Sequence, residues 1–289
     1  MDKIIKEKIA SLLANDEDIL SVEQLGGMTN QNYLVKTSAK QYIVKFFGKG
    51  TDKLINRQNE KFNLELLKDL KLDVENYLFD IEAGIKVNQY IENAETLDSA
   101  TIKTKFEKIA PILQTIHASG KELKGEFAPF EEIKKYESLI QGEIYYPNYE
   151  AVRKSVFSLK DQLEEIGIDK KSCHIDLVPE NFIEGPDGHL YLIDWEYSSM
   201  NDPMWDLAAL FLESEFTSEE EEEFLSLYES DKTPVSREKI RIYKILQDII
   251  WSLWTIYKEE NGADFGDYGI SRYNRAMNEL NYKGGTYEN

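Results

Sequence analysis

Alternating apolar and polar positions dominate the first part of the chain and predict strands. Residues 19–25, 31–36 and 41–47 are strand-like segments separated by turn residues. Residues 77–81 and 85–91 follow the same pattern on either side of a Glu-Ala-Gly turn, which indicates a further β-hairpin. This part of the chain is therefore predicted to form a five-stranded antiparallel layer.

Helical periodicity accounts for most of the remaining sequence. Apolar residues recur at helical spacing in residues 2–13 and again in residues 54–70. The later part of the chain is mainly helical, apart from two short strand-like segments at residues 182–183 and 191–193. These segments flank a Gly-Pro-Asp-Gly turn at residues 185–188, so they predict a small hairpin inside a helical body.

This order of elements indicates an α+β fold with two lobes. A small lobe, residues 1–88, is expected to carry the strands and one packed helix. A larger and mainly helical lobe, residues 89–289, is expected to follow it. No flexible linker marks the boundary in the sequence.

Composition and charge narrow the class of partner. The chain has 34 Lys and Arg residues against 54 Asp and Glu residues, a net charge of −20, so its surface repels phosphate backbones and attracts cations. We therefore expect no nucleic-acid partner. The start lacks the apolar core of a secretion signal, and no stretch reaches the ~18 uncharged residues of a membrane span. Cys173 is the single cysteine and cannot form an internal disulfide, which suits a cytoplasmic location.

The densest group of residues with catalytic potential begins at residue 174. Asp176 precedes Asn181 by five positions, and Asp194 follows Asn181 by thirteen, after the predicted hairpin. Protein kinases use an Asp and an Asn at this spacing, followed by a later Asp. There the first Asp accepts the hydroxyl proton, whereas the Asn and the later Asp hold the metal ions. The same roles are expected here, with His174 as a buried support of the loop; the alternative for Asp176 is a turn-forming aspartate.

A lysine in the third strand supplies a positive charge that matches this group. Strand alternation puts Lys45 on the same face as Ile43 and Phe47, and a lysine between two large apolar neighbours is costly unless it is paired. Glu60, on the next predicted helix, is expected to be its partner, as in the kinase pair of a strand lysine and a helix glutamate. The alternative is a lysine whose ammonium reaches solvent at a strand edge.

Two further segments are ambiguous as patterns. The Gly-Gly-Met-Thr-Asn turn at residues 26–30 lies where a kinase has its phosphate loop. It matches neither the glycine-rich kinase pattern nor a Walker sequence, so a plain hairpin turn fits equally well. Trp251 and Trp254 lie three residues apart on a predicted helix, and this spacing alone favours two core anchors.

Taken together, these segments resemble the choline/ethanolamine kinases, within the aminoglycoside-phosphotransferase-like group of the protein-kinase-like fold. The resemblance runs from residue 25 to about residue 257 and extends to bacterial choline kinases that supply phosphocholine for cell-surface glycans. The segments that carry it are residues 26–30, 44–45, 56–60, 88–91, 116–117, 174–181, 193–198 and 206–208, and the run 194–199 is the most specific.

The resemblance implies transfer of the γ-phosphate of ATP to the hydroxyl of choline, with Mg²⁺ as cofactor. Residues 1–88 would form the nucleotide-binding lobe, and residues 89–289 would form the catalytic and choline-binding lobe. The implied catalytic residues are Lys45, Glu60, Asp176, Asn181 and Asp194. Of these, Asn181 and Asp194 would also bind the metal. The implied ATP contacts are the backbone of Gln89 and Ile91 for adenine and Gly27, Thr29, Asn30 and Lys45 for the phosphates.

The acceptor pocket implied by the resemblance combines rings with carboxylates. A trimethylammonium group has no N–H to donate, so proteins bind it with aromatic faces and nearby negative charge. The implied choline-binding residues are Asp176, Glu196, Tyr197, Glu213, Trp251 and Trp254. Asp206 would tie down the catalytic loop, and Arg57 could instead face solvent.

Two other functions compete with choline phosphorylation. The first is a kinase for another small amino-alcohol, such as ethanolamine, or for an aminoglycoside, whose N–H donors would call for more carboxylates and fewer rings. The second is an inactive protein that only binds nucleotide or choline. Because the five implied catalytic residues are all present, the sequence argues against the second.

Overall fold

This computed structural model describes residues 18–26, 30–48 and 50–282. The helix expected over residues 2–13 lies outside them. The described residues form two compact units. The first unit contains positions up to Leu97 together with Glu180–Tyr197, and the second contains Asp98–Pro179 and positions from Ser198 onward. The division of lobes after residue 88 stays a prediction; these units differ from it because residues 180–197 group with the strands.

The sheet of the first unit has the five strands that the sequence predicts. They are β1 (Ile19–Leu25), β2 (Gln31–Thr37), β3 (Gln41–Phe46), β4 (Asn76–Asp80) and β5 (Ile85–Gln89). Their order is β1-β2-β3-β5-β4, and each neighbouring pair is antiparallel. Strand β5 was expected to reach Ile91 but ends at Gln89. The N–H of Gln89 donates to the Glu75 carbonyl at 2.8 Å.

One face of this sheet is apolar and the other carries charge. The apolar face is formed by Tyr33, Val35, Tyr42, Val44, Ile85 and Val87, all buried. Burying a side chain of this size contributes about 1.5–3 kcal/mol. Because side chains alternate along a strand, Lys45 on β3 and Lys86 on β5 project from the opposite face, and the two lysines are direct cross-strand partners.

A helix with a polar buried side packs in the first unit. This helix, α1 (Arg57–Leu67), begins after Asn56, whose side-chain oxygen accepts the N–H groups of Gln58 and Asn59, both at 3.1 Å. It is shorter than the predicted span 54–70, because Asn56 caps it and residues 68–70 form a 3₁₀ turn. Its buried positions are Arg57, Glu60, Asn63 and Leu67, so charge rather than apolar surface faces inward.

A small hairpin in the first unit holds the predicted metal-binding positions. Strands Phe182–Glu184 and Leu190–Leu192 pair antiparallel around the predicted turn, and Glu95–Thr96 adds a third strand. Gly188 has φ +79°, a left-handed conformation that glycine adopts without steric cost. The predicted hairpin is therefore confirmed, with its first strand one residue longer than predicted and its second strand beginning and ending one residue earlier.

The second unit is mainly helical. Strands Lys171–Cys173 and Ser199–Asn201 pair antiparallel next to the helices. The helices are α2 (Phe106–His117), α3 (Pro129–Leu139), α4 (Tyr149–Ile166), α5 (Pro203–Glu213), α6 (Ser218–Tyr228), α7 (Arg237–Glu260) and α8 (Tyr268–Tyr282). Helix α7 is almost wholly buried from residue 239 to residue 257. Over the described residues, no helix combines the length and apolar character that crossing a membrane requires.

Candidate active site

Strand β3 places Lys45 on the charged face of the sheet, where its ammonium forms an ion pair. The Nζ atom lies 2.7 Å from Oδ1 of Asp194, and only 7% of Lys45 is exposed. Burial by itself lowers the pKa of Lys45, but the carboxylates of Asp194 and Glu196 outweigh burial and leave the pKa raised above its ordinary value. Lys45 is therefore a permanent cation held against Asp194.

The prediction that Lys45 forms an ion pair with Glu60 was wrong. Among the described residues Glu60 pairs instead with Arg57, with Nη1 to Oε2 at 2.7 Å, and with Lys86, with Nζ to Oε1 at 3.1 Å. The physical reason is the register of β3 and β5, which brings a second lysine beside Lys45 on the same face. Lys86 was not predicted from the sequence, although a lysine between Ile85 and Val87 was a signal for a buried charge.

Glu196 lies at the centre of a second buried group. Its Oε2 accepts hydrogen bonds from Asn30 Nδ2 at 2.7 Å and from Arg57 Nη1 at 2.9 Å. Arg57 also donates to the side-chain oxygen of Asn30 at 2.9 Å and packs on the ring of Phe47, 4.1 Å from its centroid. Arg57 is therefore buried, and the alternative that it faces solvent is wrong.

Ion pairs connect the charged side chains in this part of the first unit. Three cations, Lys45, Arg57 and Lys86, contact three carboxylates, Glu60, Asp194 and Glu196. Burial raises the pKa of Glu196, the nearby Asp194 raises it further, and Lys45 and Arg57 oppose the rise. Removing one member of a buried ion pair costs roughly 3–5 kcal/mol because the other charge stays buried. Neighbouring charges thus hold this group, named here the charge cluster, in place.

Asn181 and Asp194 lie at the two ends of the hairpin and are tied together by its backbone. The carbonyl of Asn181 accepts the N–H of Ile193 at 2.8 Å. Asp194 has φ +67°, a conformation that costs most L residues about 1–2 kcal/mol. Its side chain stays 27% exposed. Carboxylate and amide oxygens are ligands that Mg²⁺ accepts, so the residue types here fit the expected metal.

The residues expected to contact the nucleotide lie in the first unit, as far as the structure describes them. Gln89 ends strand β5, and its N–H is already donated to Glu75. The carbonyl of Ile91 accepts the N–H of Ala94 at 3.3 Å. Gly27 and Thr29 lie outside the described residues.

Asp73 adds a further carboxyl near the charge cluster. Burial raises its pKa to about 6, and the Asp194 carboxylate adds to the rise. Lys86, Lys45 and the N–H of Val74, which donates to Asp73 at 2.7 Å, act in the opposite direction. Asp73 is thus half protonated at about pH 6, well above the range of an ordinary aspartate.

We expect Asp73→Asn to stabilise the protein at about pH 7.5, by up to about 3 kcal/mol, and to have little effect at about pH 4. The folded protein keeps the Asp73 proton up to a pKa of about 6, whereas the unfolded chain loses it near 3.8. The wild type therefore loses stability as pH rises between these values, and asparagine has no proton to lose. Urea unfolding at both pH values checks this; an equal effect at the two would contradict it.

Asp206 fixes the loop before Asp176 in the second unit. Its carboxylate accepts the N–H groups of His174 and Ile175, both at 2.8 Å, and its Oδ2 lies 3.0 Å from Nε2 of His117. His174 is fully buried, as the sequence analysis expected. The carboxylate thus sets the backbone that carries Asp176.

Aromatic rings in the second unit extend from helix α7 into the segment before α8. The rings of Trp251 and Trp254 meet edge to face with centroids 6.4 Å apart, and both are at least nine-tenths buried. Phe265 packs on Trp254 at 4.9 Å and lies 6.4 Å from Tyr268. Phe265 and Tyr268 are only partly buried. Neither ring was predicted from the sequence, although two rings in a short polar segment were a signal.

Glu213 ends α5 and forms an ion pair with Arg272 of α8. Arg272 also contacts Asp248, with Nη1 to Oδ1 at 3.1 Å, and its guanidinium lies 4.7 Å from the centre of the Tyr268 ring. Burial raises the pKa of Tyr268 to about 12; Arg272 opposes this rise, whereas Glu213 and Asp176 add to it. The Tyr268 hydroxyl thus lies within the electrostatic field of both the expected acceptor carboxylate and the expected catalytic carboxylate.

Known proteins resemble the chain over nearly its whole length. The crystal structure of choline kinase LicA from Streptococcus pneumoniae is 78% identical, with a TM-score of 0.93 over 97% of this chain and 98% of that one. A second structure of LicA, in complex with AMP, is also 78% identical, with a TM-score of 0.92 over 98% of each chain. Protein LicA of Haemophilus influenzae is 32% identical over 268 residues, 89% of this chain and 78% of that protein.

A more distant likeness concerns the fold alone. The structure of spectinomycin phosphotransferase in complex with ADP and spectinomycin has a TM-score of 0.59 at 15% identity, over 98% of this chain and 94% of that one. The α+β, protein-kinase-like fold class is confirmed. The family model for choline/ethanolamine kinase matches residues 22–277, so the chain belongs to the choline/ethanolamine kinase family.

Proposed function

We propose that this protein is a choline kinase that transfers the γ-phosphate of ATP to the choline hydroxyl and releases phosphocholine and ADP. The observation that carries the proposal is 78% identity to a choline kinase over 97% of the chain. The pair of Lys45 and Asp194 beside Asn181 supports it, because a kinase needs a cation and metal-binding oxygens at the phosphates.

The first unit supplies the nucleotide-binding residues of this proposal. Asn181 and Asp194 would hold Mg²⁺, which when bound neutralises charge on the phosphates. Lys45 orients the phosphates, and Gly27, Thr29 and Asn30 lie along the same stretch of sequence. Adenine would use the carbonyl of Gln89 and the N–H of Ile91, because the Gln89 N–H is already donated to Glu75.

Glu60 and Glu196 act within the charge cluster in this proposal. Glu60 holds Lys86 and Arg57, and it influences Lys45 only through its charge. The Glu196 side chain is 3% exposed and accepts from Asn30 and Arg57, so we assign it to positioning these residues in place of contacting choline. This assignment replaces the expectation of a substrate-binding Glu196.

Asp176 is the proposed general base of the transfer. As the bond from the choline oxygen to phosphorus forms, the hydroxyl proton passes to the Asp176 carboxylate and the bond to ADP breaks. General bases work when they are positioned within hydrogen-bond reach of the proton. Asp206 supplies this positioning, because it fixes the backbone of His174 and Ile175 immediately before Asp176.

The choline cation would be bound by rings and a carboxylate of the second unit. Trp254 and Trp251 offer indole faces, Phe265 and Tyr268 extend the aromatic surface, and Glu213 supplies negative charge. The family resemblance adds Tyr197. Each cation–π contact contributes about 0.5–2 kcal/mol, so two or three suffice for a millimolar metabolite, which needs about 4 kcal/mol.

We expect substitutions of Trp254 to show whether its ring binds the choline cation or only anchors the core. Trp254→Ala should raise the choline KM by roughly 2- to 30-fold, the equivalent of one cation–π contact, and leave the ATP KM unchanged. Trp254→Phe should retain more function than Trp254→Leu, because only a ring presents negative potential to the cation. The same series at Trp251 is the comparison.

The controls for this series are the melting temperatures of all variants. A core anchor would lose stability, and leucine would serve about as well as phenylalanine. Equal choline KM values for the Phe and Leu variants would remove Trp254 from the cation site.

Ethanolamine is the competing acceptor. A coupled assay that follows ADP release with choline, ethanolamine and an aminoglycoside tests the proposal. We expect kcat/KM to be highest for choline by at least about tenfold, because ethanolamine's three N–H donors need acceptors that an aromatic surface does not provide. A higher value for ethanolamine or the aminoglycoside would overturn choline as the substrate.

Several expectations about location and partners remain predictions under this function. They are a cytoplasmic location, which fits a reaction that consumes ATP, a small-molecule acceptor as the main partner, and no nucleic-acid or membrane partner. The net charge of −20 fits a cationic acceptor.

A further inference from the structure

One buried cation of the second unit has no role in the assignments above. Arg272 is 5% exposed, and its guanidinium contacts Glu213, Asp248 and the face of the Tyr268 ring. We propose that Arg272 is a specificity-determining positioning residue, which holds the Glu213 carboxylate in a charge-compensated state and thereby favours a quaternary over a primary ammonium acceptor. This inference rests on the proposed function.

Glu213 belongs to a cluster of paired charges. Glu213 is the residue expected to face the acceptor cation, yet its carboxylate is already paired with Arg272. Asp248 pairs with both Arg272 and Arg275, at 3.1 Å and 2.6 Å. Two carboxylates and two guanidinium groups therefore compensate one another in this cluster, so Glu213 does not present a full unpaired charge.

Arg272 also limits the hydrogen-bond acceptors that Glu213 offers to a ligand. The planar guanidinium donates in fixed directions, and its Nη2 donates to Oε1 of Glu213, so it occupies a lone pair of that oxygen and restricts the orientation of the carboxylate. A primary ammonium group has three N–H donors, and each that stays unpaired in a buried site costs about 1–3 kcal/mol. A trimethylammonium group has no donor to satisfy. Occupying Oε1 of Glu213 therefore penalises ethanolamine and leaves choline almost unaffected.

Arg272 also contacts the aromatic surface of the second unit. The Arg272 guanidinium lies over the Tyr268 ring, 4.7 Å from its centroid. A cation on one face weakens the attraction of the ring for a second cation, so Tyr268 serves mainly as a positioned apolar wall. Such a wall suits methyl groups better than N–H groups. Tyr268 in turn adjoins Phe265 and, through it, Trp254, so Arg272 acts on the same aromatic surface that the proposal assigns to choline.

The test compares Arg272→Gln with Arg275→Gln. Arg275 is the matched control because it contacts Asp248, is 43% exposed on its side chain and forms no ion pair with Glu213 among the described residues. For each variant, kcat/KM is measured with choline and with ethanolamine, together with the ATP KM and the melting temperature. In Arg272→Gln we expect the choline-to-ethanolamine ratio to fall by roughly 10- to 150-fold, the worth of a hydrogen bond to a charged group. Arg275→Gln should keep the wild-type ratio.

A conservative change keeps the proposal testable if Arg272→Gln does not fold. Arg272→Lys retains the charge but not the planar fork, so its ratio should fall less than that of Arg272→Gln and more than that of Arg275→Gln. In a Glu213→Gln background the Arg272→Lys change should no longer alter the ratio, because the two residues act as one unit.

The outcomes that overturn the inference differ from those that overturn the function. An equal loss of kcat/KM for both acceptors in Arg272→Gln or Arg272→Lys would mean that Arg272 only stabilises the fold. The same would follow if Arg275→Gln changed the ratio as much. If the wild-type protein failed to phosphorylate choline, the proposed function itself would be overturned.

Discussion

Asp176→Asn is expected to slow phosphate transfer to choline by roughly 10²- to 10⁴-fold, the contribution of a positioned general base. Asparagine has nearly the same shape but cannot accept the hydroxyl proton as a carboxylate does. The fold should persist, because Asp206 holds the backbone of His174 and Ile175. Steady-state turnover at saturating choline and ATP measures the effect.

The matched control for this variant is Asp187→Asn. Asp187 is an exposed aspartate in the hairpin turn, where it accepts the N–H of His189 at 3.0 Å. Its replacement should leave turnover unchanged. Turnover of Asp176→Asn within a few-fold of the wild type, with Mg·ATP affinity retained, would exclude Asp176 as the base.

Asp194→Ala is expected to weaken Mg·ATP binding by about 2–5 kcal/mol, the usual cost of removing one member of a desolvated charge pair at a binding site. This corresponds to roughly a 30- to 5,000-fold higher Kd. The change removes the proposed metal ligand and also the carboxylate that contacts Lys45 at 2.7 Å. Calorimetric titration of the variant with Mg·ATP and with ATP alone separates the two effects.

Asp194→Asn and Lys45→Met serve as comparisons for that experiment. Asparagine keeps an oxygen ligand but loses the charge, so its Mg·ATP affinity should lie between those of the wild type and Asp194→Ala. Lys45→Met should weaken ATP binding with or without magnesium. Unchanged Mg·ATP affinity in Asp194→Ala would refute the metal-binding role of this carboxylate.

The charge cluster changes how the kinase-like lysine is understood in this chain. A strand lysine paired with a helix glutamate was expected, but Lys45 contacts Asp194 while Glu60 contacts Lys86. Glu60 therefore supports the site indirectly, by neutralising the lysine beside Lys45. A metal that competes with Lys45 for Asp194 would leave Glu196 and Glu60 as the remaining negative charges of the protein near Lys45.

Local features of the sequence were sufficient for the elements and for the main motif. The five strands, helix α1 and the hairpin at residues 182–192 were predicted within a few residues, because alternation, turn residues and helical spacing are properties of neighbouring positions. The spacing of Asp176, Asn181 and Asp194 also identified the expected catalytic group. Where boundaries differed, as at Asn56, a capping side chain ended the element earlier than periodicity suggested.

The partners of the buried charges were decided only by tertiary structure. Whether Glu60 pairs with Lys45 or with Lys86 depends on the register of β3 and β5 and on how α1 packs in the first unit, and neither is encoded at short range. The burial of Arg57, and the meeting of Glu213 with Arg272 across 59 positions of sequence, have the same origin. An ion pair in a low-dielectric interior is strong only at contact distance, so its identity is fixed when distant segments pack, and not before.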